Sequence, residues 1–283
     1  MRPGLEINMY DFSRCKLCAK KTSVPTYKLK NTTIFVCASC GFHFINHLDI
    51  MPLDNPSEEP RNLDQKSYDY IEGMLIANGK QHAKNLLLVK KHLSLSQSHC
   101  LDIGAGAGLF SNLMAEEGAL VHGIEPQKTF REFALKKFGI SLNSETIDDH
   151  YWQQDFAGFF DVITLWDVLE HVNFPAETLR ELYNVTKEGG WLFLDTPRRD
   201  SVFYKIGEWS YRFSNGSNSS IFESIYSSQP FRHKQIFTLH QLIQLVEKVG
   251  FSVISMNSSF FNPQNKMILV CQKPVPTPEQ SRA

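Results

Sequence analysis

LDIGAGAGLF, residues 101–110, runs an apolar strand directly into three glycines at alternate positions, Gly104, Gly106 and Gly108. A turn built this way leaves bare backbone, so a ligand can approach closer than any Cβ would allow. The helix that follows offers its first N–H groups to negative charge. Glu125 closes the next apolar stretch, ALVHGIEP (119–126), about 20 residues after the turn, where a carboxylate can accept both hydroxyls of a ribose. Turn and acid together describe a site for an adenosine-type ligand. A dinucleotide fingerprint, G-x-G-x-x-G, would need glycine where Leu109 stands. Asp102 puts a carboxylate beside the turn, which is awkward for a diphosphate and welcome to a ligand carrying an ammonium and a sulfonium. No G-K-[ST] follows, which excludes a phosphate-cradling P-loop.

Outward from this turn, apolar strands alternate with amphipathic helices. Strands are expected at 99–103, 119–126, within 160–171, 191–197, 251–258 and 267–273, and helices at 109–117, 128–139, 176–187 and 237–251, the last with Thr238 as N-cap. Such alternation predicts an α/β fold with a doubly wound sheet whose ligand lies beyond the carboxyl ends of the strands. At 283 residues, 42% of them hydrophobic, the chain can bury one full core and a smaller unit.

That smaller unit is announced by cysteines. Four of the six form two CxxC pairs, Cys15/Cys18 and Cys37/Cys40, separated by the β-rich stretch TYKLKNTTIFV (26–36). Two knuckles of this kind bring four thiolates to tetrahedral spacing around a structural Zn²⁺, so residues 1–50 read as a zinc ribbon, with Gly41 in the turn after the second knuckle. Lys16, Lys20, Lys21, Lys28 and Lys30 are expected on its surface, and Cys100 and Cys271 in the core. Residues 51–97 read as a proline-rich linker followed by one or two leading helices, and 274–283 as a disordered tail. The formal net charge of −1 gives no global field toward nucleic acid. With no apolar leader and no run long enough to span a membrane, a cytoplasmic location is expected.

LDIGAGAGLF, VHGIEP (121–126), FDVITLWDVLEHV (160–172) and KEGGWLFLDTP (187–197) together resemble the successive motifs of class I S-adenosylmethionine-dependent methyltransferases, over residues 98–273. The resemblance is nearest to ubiquinone-pathway and sugar methyltransferases, several of which carry an N-terminal zinc ribbon. It implies a Rossmann-like, doubly wound, seven-stranded sheet with S-adenosyl-L-methionine as cofactor. By the same resemblance, Asp102, Gly104, Ala105, Gly106 and Gly108 would pass its methionine portion. Glu125 would hold the ribose, with Pro126 beside the adenine, and Thr146, Ile147 or Asp148 would lie near the adenine amino group. Trp166 and Asp167 would line the methionine end. Ala105 and Ala107 stand where relatives often have Cys and Thr.

Methyl transfer needs positioning first, because the sulfonium already carries an activated methyl group. A base helps if the acceptor is a hydroxyl or a carbon acid, and two histidines suit the task. His171 follows Glu170 in LEHV, and His233 lies in FRHKQIFT (231–238), where relatives carry a similar H-x-x-x-F-[ST] element. For each, a hydrogen-bonded structural histidine is the competing reading. The aromatic, polar segment 198–235 is expected to cap the open side of the cleft; Arg198, Arg199, Tyr204, Trp209, Tyr211 and Arg212 either meet substrate or hold the cap together. The leading expectation is a methyltransferase acting on a hydroxyl or carbon of a small metabolite such as a nucleotide sugar, quinone precursor or lipid-like acceptor. An RNA methyltransferase using the ribbon to bind RNA is the second reading, and a non-catalytic, cofactor-sensing module the third.

Overall fold

The computed structural model describes residues 10–49, 63–257 and 266–276. The proposed linker and the tail fall largely outside the described residues.

Strands β1 (Ser23–Lys28), β2 (Thr33–Cys37) and β3 (His43–Ile45) come first, then a single long helix α1 (Gln65–Lys90), whose N-cap Asp64 accepts from Ser67 N at 2.7 Å. The main domain follows as β4 (His99–Ile103), α2 (Leu109–Glu116), β5 (Leu120–Ile124), α3 (Lys128–Phe138), α4 (His150–Asp155), β6 (Phe160–Trp166), α5 (Pro175–Val185) and β7 (Thr186–Pro197). It continues with α6 (Val202–Phe213), α7 (Ser220–Ile225), β8 (Gln235–Ile236), α8 (Leu239–Val249), β9 (Ser252–Asn257) and β10 (Lys266–Gln272).

Six strands form the principal sheet in the order β5-β4-β6-β7-β10-β9, parallel from β5 to β7, with β10 antiparallel to both of its neighbours. Its central strands β4, β6, β7 and β10 are buried on both faces, which is why they read as apolar runs, while the edge strand β9 is largely exposed. Leu101, Ile163, Leu192 and Leu194 pack on the side of α5 and α8, while Cys100, Val162, Phe193 and Val270 meet Val89, Phe110 and Met114 on the other. Cys100 and Cys271 are buried free thiols, as expected. Helix α8 begins at a full capping box between Thr238 and Gln241.

The expected seventh strand is reduced, among the described residues, to a single bridge between Ile124 and Asn143. Asn143 N donates to Gly123 O at 2.8 Å and Glu125 N to Asn143 O at 2.9 Å. The Asn143 side chain then accepts Glu145 N at 2.7 Å, turning the chain away after one pairing.

The ribbon and segment 198–235 also differ from expectation. Strands β1-β2-β3-β8 make one antiparallel sheet, so β8, from far along the chain, completes the ribbon. Helices α6 and α7 pack on that sheet rather than over the cleft, because Tyr204, Phe222 and Tyr226 find their apolar partners in Tyr27, Leu29, Ile34 and Ile45. Tyr204 OH bonds to His43 Nδ1 and to Tyr226 OH, both at 2.8 Å, and Tyr211 OH accepts Lys28 N at 2.9 Å. Arg199 reaches His43 Nε2, and Arg198 pairs with Asp200, so these side chains hold the segment together. Lys16 is not a surface residue: its ammonium is buried, donates to His47 O at 2.9 Å and lies near the Phe12 and Phe44 rings. Burial, reinforced by nearby Lys234, pulls it down to about 7.

Candidate ligand cleft and cysteine cluster

The three glycines of the turn have different reasons to be glycine. All have positive φ, +63°, +52° and +78° for Gly104, Gly106 and Gly108. A Cβ on Gly104 would come within 2.6 Å of Val168 Cγ2, and one on Gly108 within 2.8 Å of Ala134 Cβ. These two serve close packing. A Cβ on Gly106 would meet nothing within 4 Å, so this bare backbone faces open space.

That space belongs to a cavity of about 230 Å³ bounded by Asp102, Gly104, Ala105, Gly106, Trp166 and Asp167, all expected at the site. Asp102 lies beneath the turn, where it accepts from Ser111 Oγ and Thr164 Oγ1 at 2.7 Å each, and burial pushes its carboxyl up to about 6. Glu125 sits behind the turn. Its carboxylate accepts Gly106 N at 2.9 Å and Gln127 N at 2.8 Å, and burial outweighs these donors to push it up to about 7. Gly108, Glu125, Pro126, Thr146, Ile147 and Asp148 do not line this cavity. Ile147 is part of the core, and Thr146 Oγ1 donates to Asp148 Oδ1 at 2.5 Å.

Several cavity residues were not anticipated. Helix α1 forms the outer wall with Ile71, Met74, Leu75, Asn78, Gln81, His82 and Asn85, and Asp195 and Lys266 complete the far side. Lys266 Nζ pairs with Asp167 and lies 3.4 Å from Asp195 Oδ2; burial opposes its charge, but the two carboxylates outweigh it and raise its pKa. Asp195 accepts Asp167 N at 2.7 Å, which holds Asp167 in the left-handed region at φ +57°. The signal for α1 was its buried polar residue Asn85, an uneconomical choice unless it faces a ligand or a partner such as Gln81, which bonds it at 2.8 Å.

The two candidate bases come together. The rings of His171 and His233 have centroids 4.8 Å apart, with their Nε2 atoms 3.7 Å and 3.9 Å from Glu170 Oε1. The two segments are tied by a backbone bond, Lys234 N to Glu170 O at 2.8 Å, and by the Gln235 side chain, whose Nε2 donates to Leu169 O and Val172 O at 3.1 Å and 2.6 Å. Burial holds Glu170 far above the usual carboxylate range. His171 falls to about 4 through burial and the neighbouring His233, and His233 is lowered by burial as well. Burial thus disfavours charge on all three groups. Among the described residues, neither ring Nδ1 nor either Glu170 oxygen has a partner in hydrogen-bond geometry.

The four ribbon thiols also converge. Cys15 and Cys40 have sulfurs 3.6 Å apart, as do Cys18 and Cys37, and one sulfur from each of the four lies within 4.8 Å of the rest. Tetrahedral thiolates at about 2.3 Å from zinc stand roughly 3.8 Å apart, so the donor set and its spacing fit the ion. Cys15 is drawn down to about 5 chiefly by its contact with Cys40, whose own thiol proton is correspondingly held.

A family model described as a methyltransferase domain matches residues 79–256 of the 283. The chain belongs to this methyltransferase family. Among curated relatives, a ubiquinone biosynthesis O-methyltransferase of Pseudomonas aeruginosa is 33% identical over 120 residues, covering 41% of this chain and 51% of the relative. One from Vibrio parahaemolyticus is 28% identical over 171 residues, covering 58% and 68%. The chain thus spans about half the length of the first of these relatives. Of solved structures, a SAM-dependent methyltransferase from Thermotoga maritima superposes with a TM-score of 0.50 at 18% identity, covering 72% of this chain and 95% of that one. Another from Methanosarcina mazei gives 0.52 at 16%, covering 67% and 98%. These two likenesses establish the shared fold.

Proposed function

We propose that this methyltransferase-family chain uses S-adenosylmethionine to methylate a hydroxyl or carbon of a small metabolite, such as a nucleotide-linked sugar, a quinone precursor or a lipid-like acceptor. The observation that carries this reading is Gly106: its missing side chain leaves open space in the cavity bounded by Asp102, Trp166 and Asp167, and its amide is held by the buried Glu125 carboxylate behind the turn. A ribose there would donate its hydroxyls to Glu125, replacing the Gly106 amide as partner. Asp167 and Asp195 offer negative charge to an ammonium, and Lys266 offers a cation to a carboxylate, at the end of the cavity lined by Trp166.

The cavity is smaller than the roughly 300 Å³ at which ligand pockets usually begin. Helix α1 would therefore shift outward to admit a nucleoside and close over it afterwards. The bound sulfonium supplies an activated methyl group, and the chain's own task is to align the acceptor and remove its proton. His233 is the better placed base, because His171 is driven to about 4 and holds protons poorly. Zinc at Cys15, Cys18, Cys37 and Cys40 would be structural, holding β1–β3 and, through them, the segment that carries His233.

Incubating the purified chain with methyl-labelled S-adenosylmethionine and a metabolite extract tests the reading. Label should appear in a small molecule under mass spectrometry. Label confined to added RNA, or to nothing, would contradict it.

A further inference from the structure

Helix α6 is amphipathic in an unusual sense, because both of its faces are apolar. The inner face is satisfied by Tyr204 and Gly207, with Gly207 packed so closely on α7 that a Cβ would lie 2.8 Å from Ile221 Cγ2. The outer face carries Val202, Ile206, Trp209 and Phe213, with exposures of 59%, 45%, 59% and 89%. Spaced by four, three and four residues, these fall within a stripe about 60° wide on a 3.6-residue helix, and Phe203 widens it at the first turn. Exposed large side chains on this scale and in one line mark an interaction surface rather than scattered surface apolarity.

The charges beside the stripe indicate what covers it. Lys205 and Arg212, seven residues apart, stand exposed along one flank, and exposed Lys28 lies on β1, joined to the helix where its amide meets Tyr211 OH. The helix's sole acid, Glu208, is engaged by Tyr27 OH at 3.3 Å on the inward side. Glu208 and Arg212 share the Tyr27 hydroxyl, so Lys205 and Lys28 leave the flank net positive. An apolar ridge with such an edge matches a helix lying in the plane of a lipid interface. We infer that α6 docks this protein on an anionic phospholipid surface, with Val202, Ile206, Trp209 and Phe213 entering the acyl boundary and Lys205 and Lys28 meeting headgroup phosphates. Strand β7, which supplies Asp195 to the cleft, ends just before α6, so docking would bring the cleft close to lipid-borne molecules. The inference rests on the helix alone and stands apart from the methyl-transfer reading.

Flotation of the full chain with phosphatidylcholine vesicles, with and without phosphatidylglycerol, tests it. The chain should float with the anionic vesicles, less so in high salt. The triple variant Ile206→Ser, Trp209→Ser, Phe213→Ser should bind at least about tenfold more weakly. Lys205→Glu should lose a smaller factor. Because these side chains are exposed, an unchanged melting curve is expected and shows that the variants are folded. The inference is overturned if the wild type ignores both vesicle types, or if the triple variant floats equally well. It is overturned too if light scattering finds a wild-type dimer that the triple variant converts to monomer, since the stripe would then be a protein interface.

Discussion

The principal sheet and the ribbon hold their backbones together by different means. The sheet buries apolar side chains on both faces, chiefly against its own helices, with Cys15, Cys37, Phe42 and Phe44 of the ribbon joining one of the two cores. The ribbon is too small for that and borrows α6, α7 and β8 from more than 150 residues away. The candidate site straddles the two. In the proposed function the cofactor end, with Gly106, Asp102 and Glu125, is built by the sheet. The proposed acceptor end, with His233, which does not line the cavity, depends on the segment 198–235 packed on the ribbon. Damage to the ribbon should therefore separate chemistry from cofactor binding.

The largest expected effect follows from removing the zinc proposed at Cys15, Cys18, Cys37 and Cys40, or from replacing Cys37 and Cys40 by serine. Structural zinc contributes on the order of 10 kcal/mol to folding of such sites. Methyl transfer should fall at least about a hundredfold while S-adenosylmethionine affinity changes by less than about threefold. Parallel metal analysis, turnover and calorimetry check this, and equal loss of both would mean that the two halves do not divide the work as described. His233→Ala should lower kcat by about 10²-fold or more, with little change in cofactor affinity, and His171→Ala by less. Glu125→Gln touches the sheet half alone and should weaken S-adenosylmethionine binding by about 1.5–3 kcal/mol, measured by calorimetry.

The smallest effect is a pH dependence. Burial raises Glu125 to about 7 and Asp102 to about 6, so in the folded chain these acids keep protons that the unfolded chain releases. Their contribution to stability is full below the ordinary carboxylate range and is lost as pH rises toward 7, so the ligand-free melting temperature should drift down between pH 5 and 7. Ribose hydroxyls favour the ionised Glu125. Cofactor affinity should therefore rise between about pH 6 and 8 and level off above, by up to about tenfold per unit on the steep part. A flat profile would remove Glu125 from the ribose.

How far the sequence revealed this arrangement depended on distance along the chain. Gly104, Gly106 and Gly108 followed by Glu125 were legible because strand, turn and acid are local, and the same holds for the two CxxC pairs. Lys266 was not, since nothing in its neighbourhood marks it, and Asp195, though inside the KEGGWLFLDTP motif, was not singled out; both acquire meaning only when β10 pairs with β7 beside Asp167. His82 was hidden in an ordinary helical pattern. Lys16 looked like solvent-facing charge, yet Phe12, Phe44 and the His47 carbonyl enclose it. The merger of β8 with the ribbon is the most non-local feature, and two residues, Gln235 and Ile236, carry no periodicity by which to find it.

The central claim is that bare backbone at Gly106 and the Glu125 acid form a berth for S-adenosylmethionine. Calorimetric titration of the wild-type chain and of Gly106→Val, with melting curves confirming that both are folded, tests it most directly. One molecule should bind per wild-type chain and none measurably to the variant. Equal binding by both chains, or no heat from either, would contradict the claim.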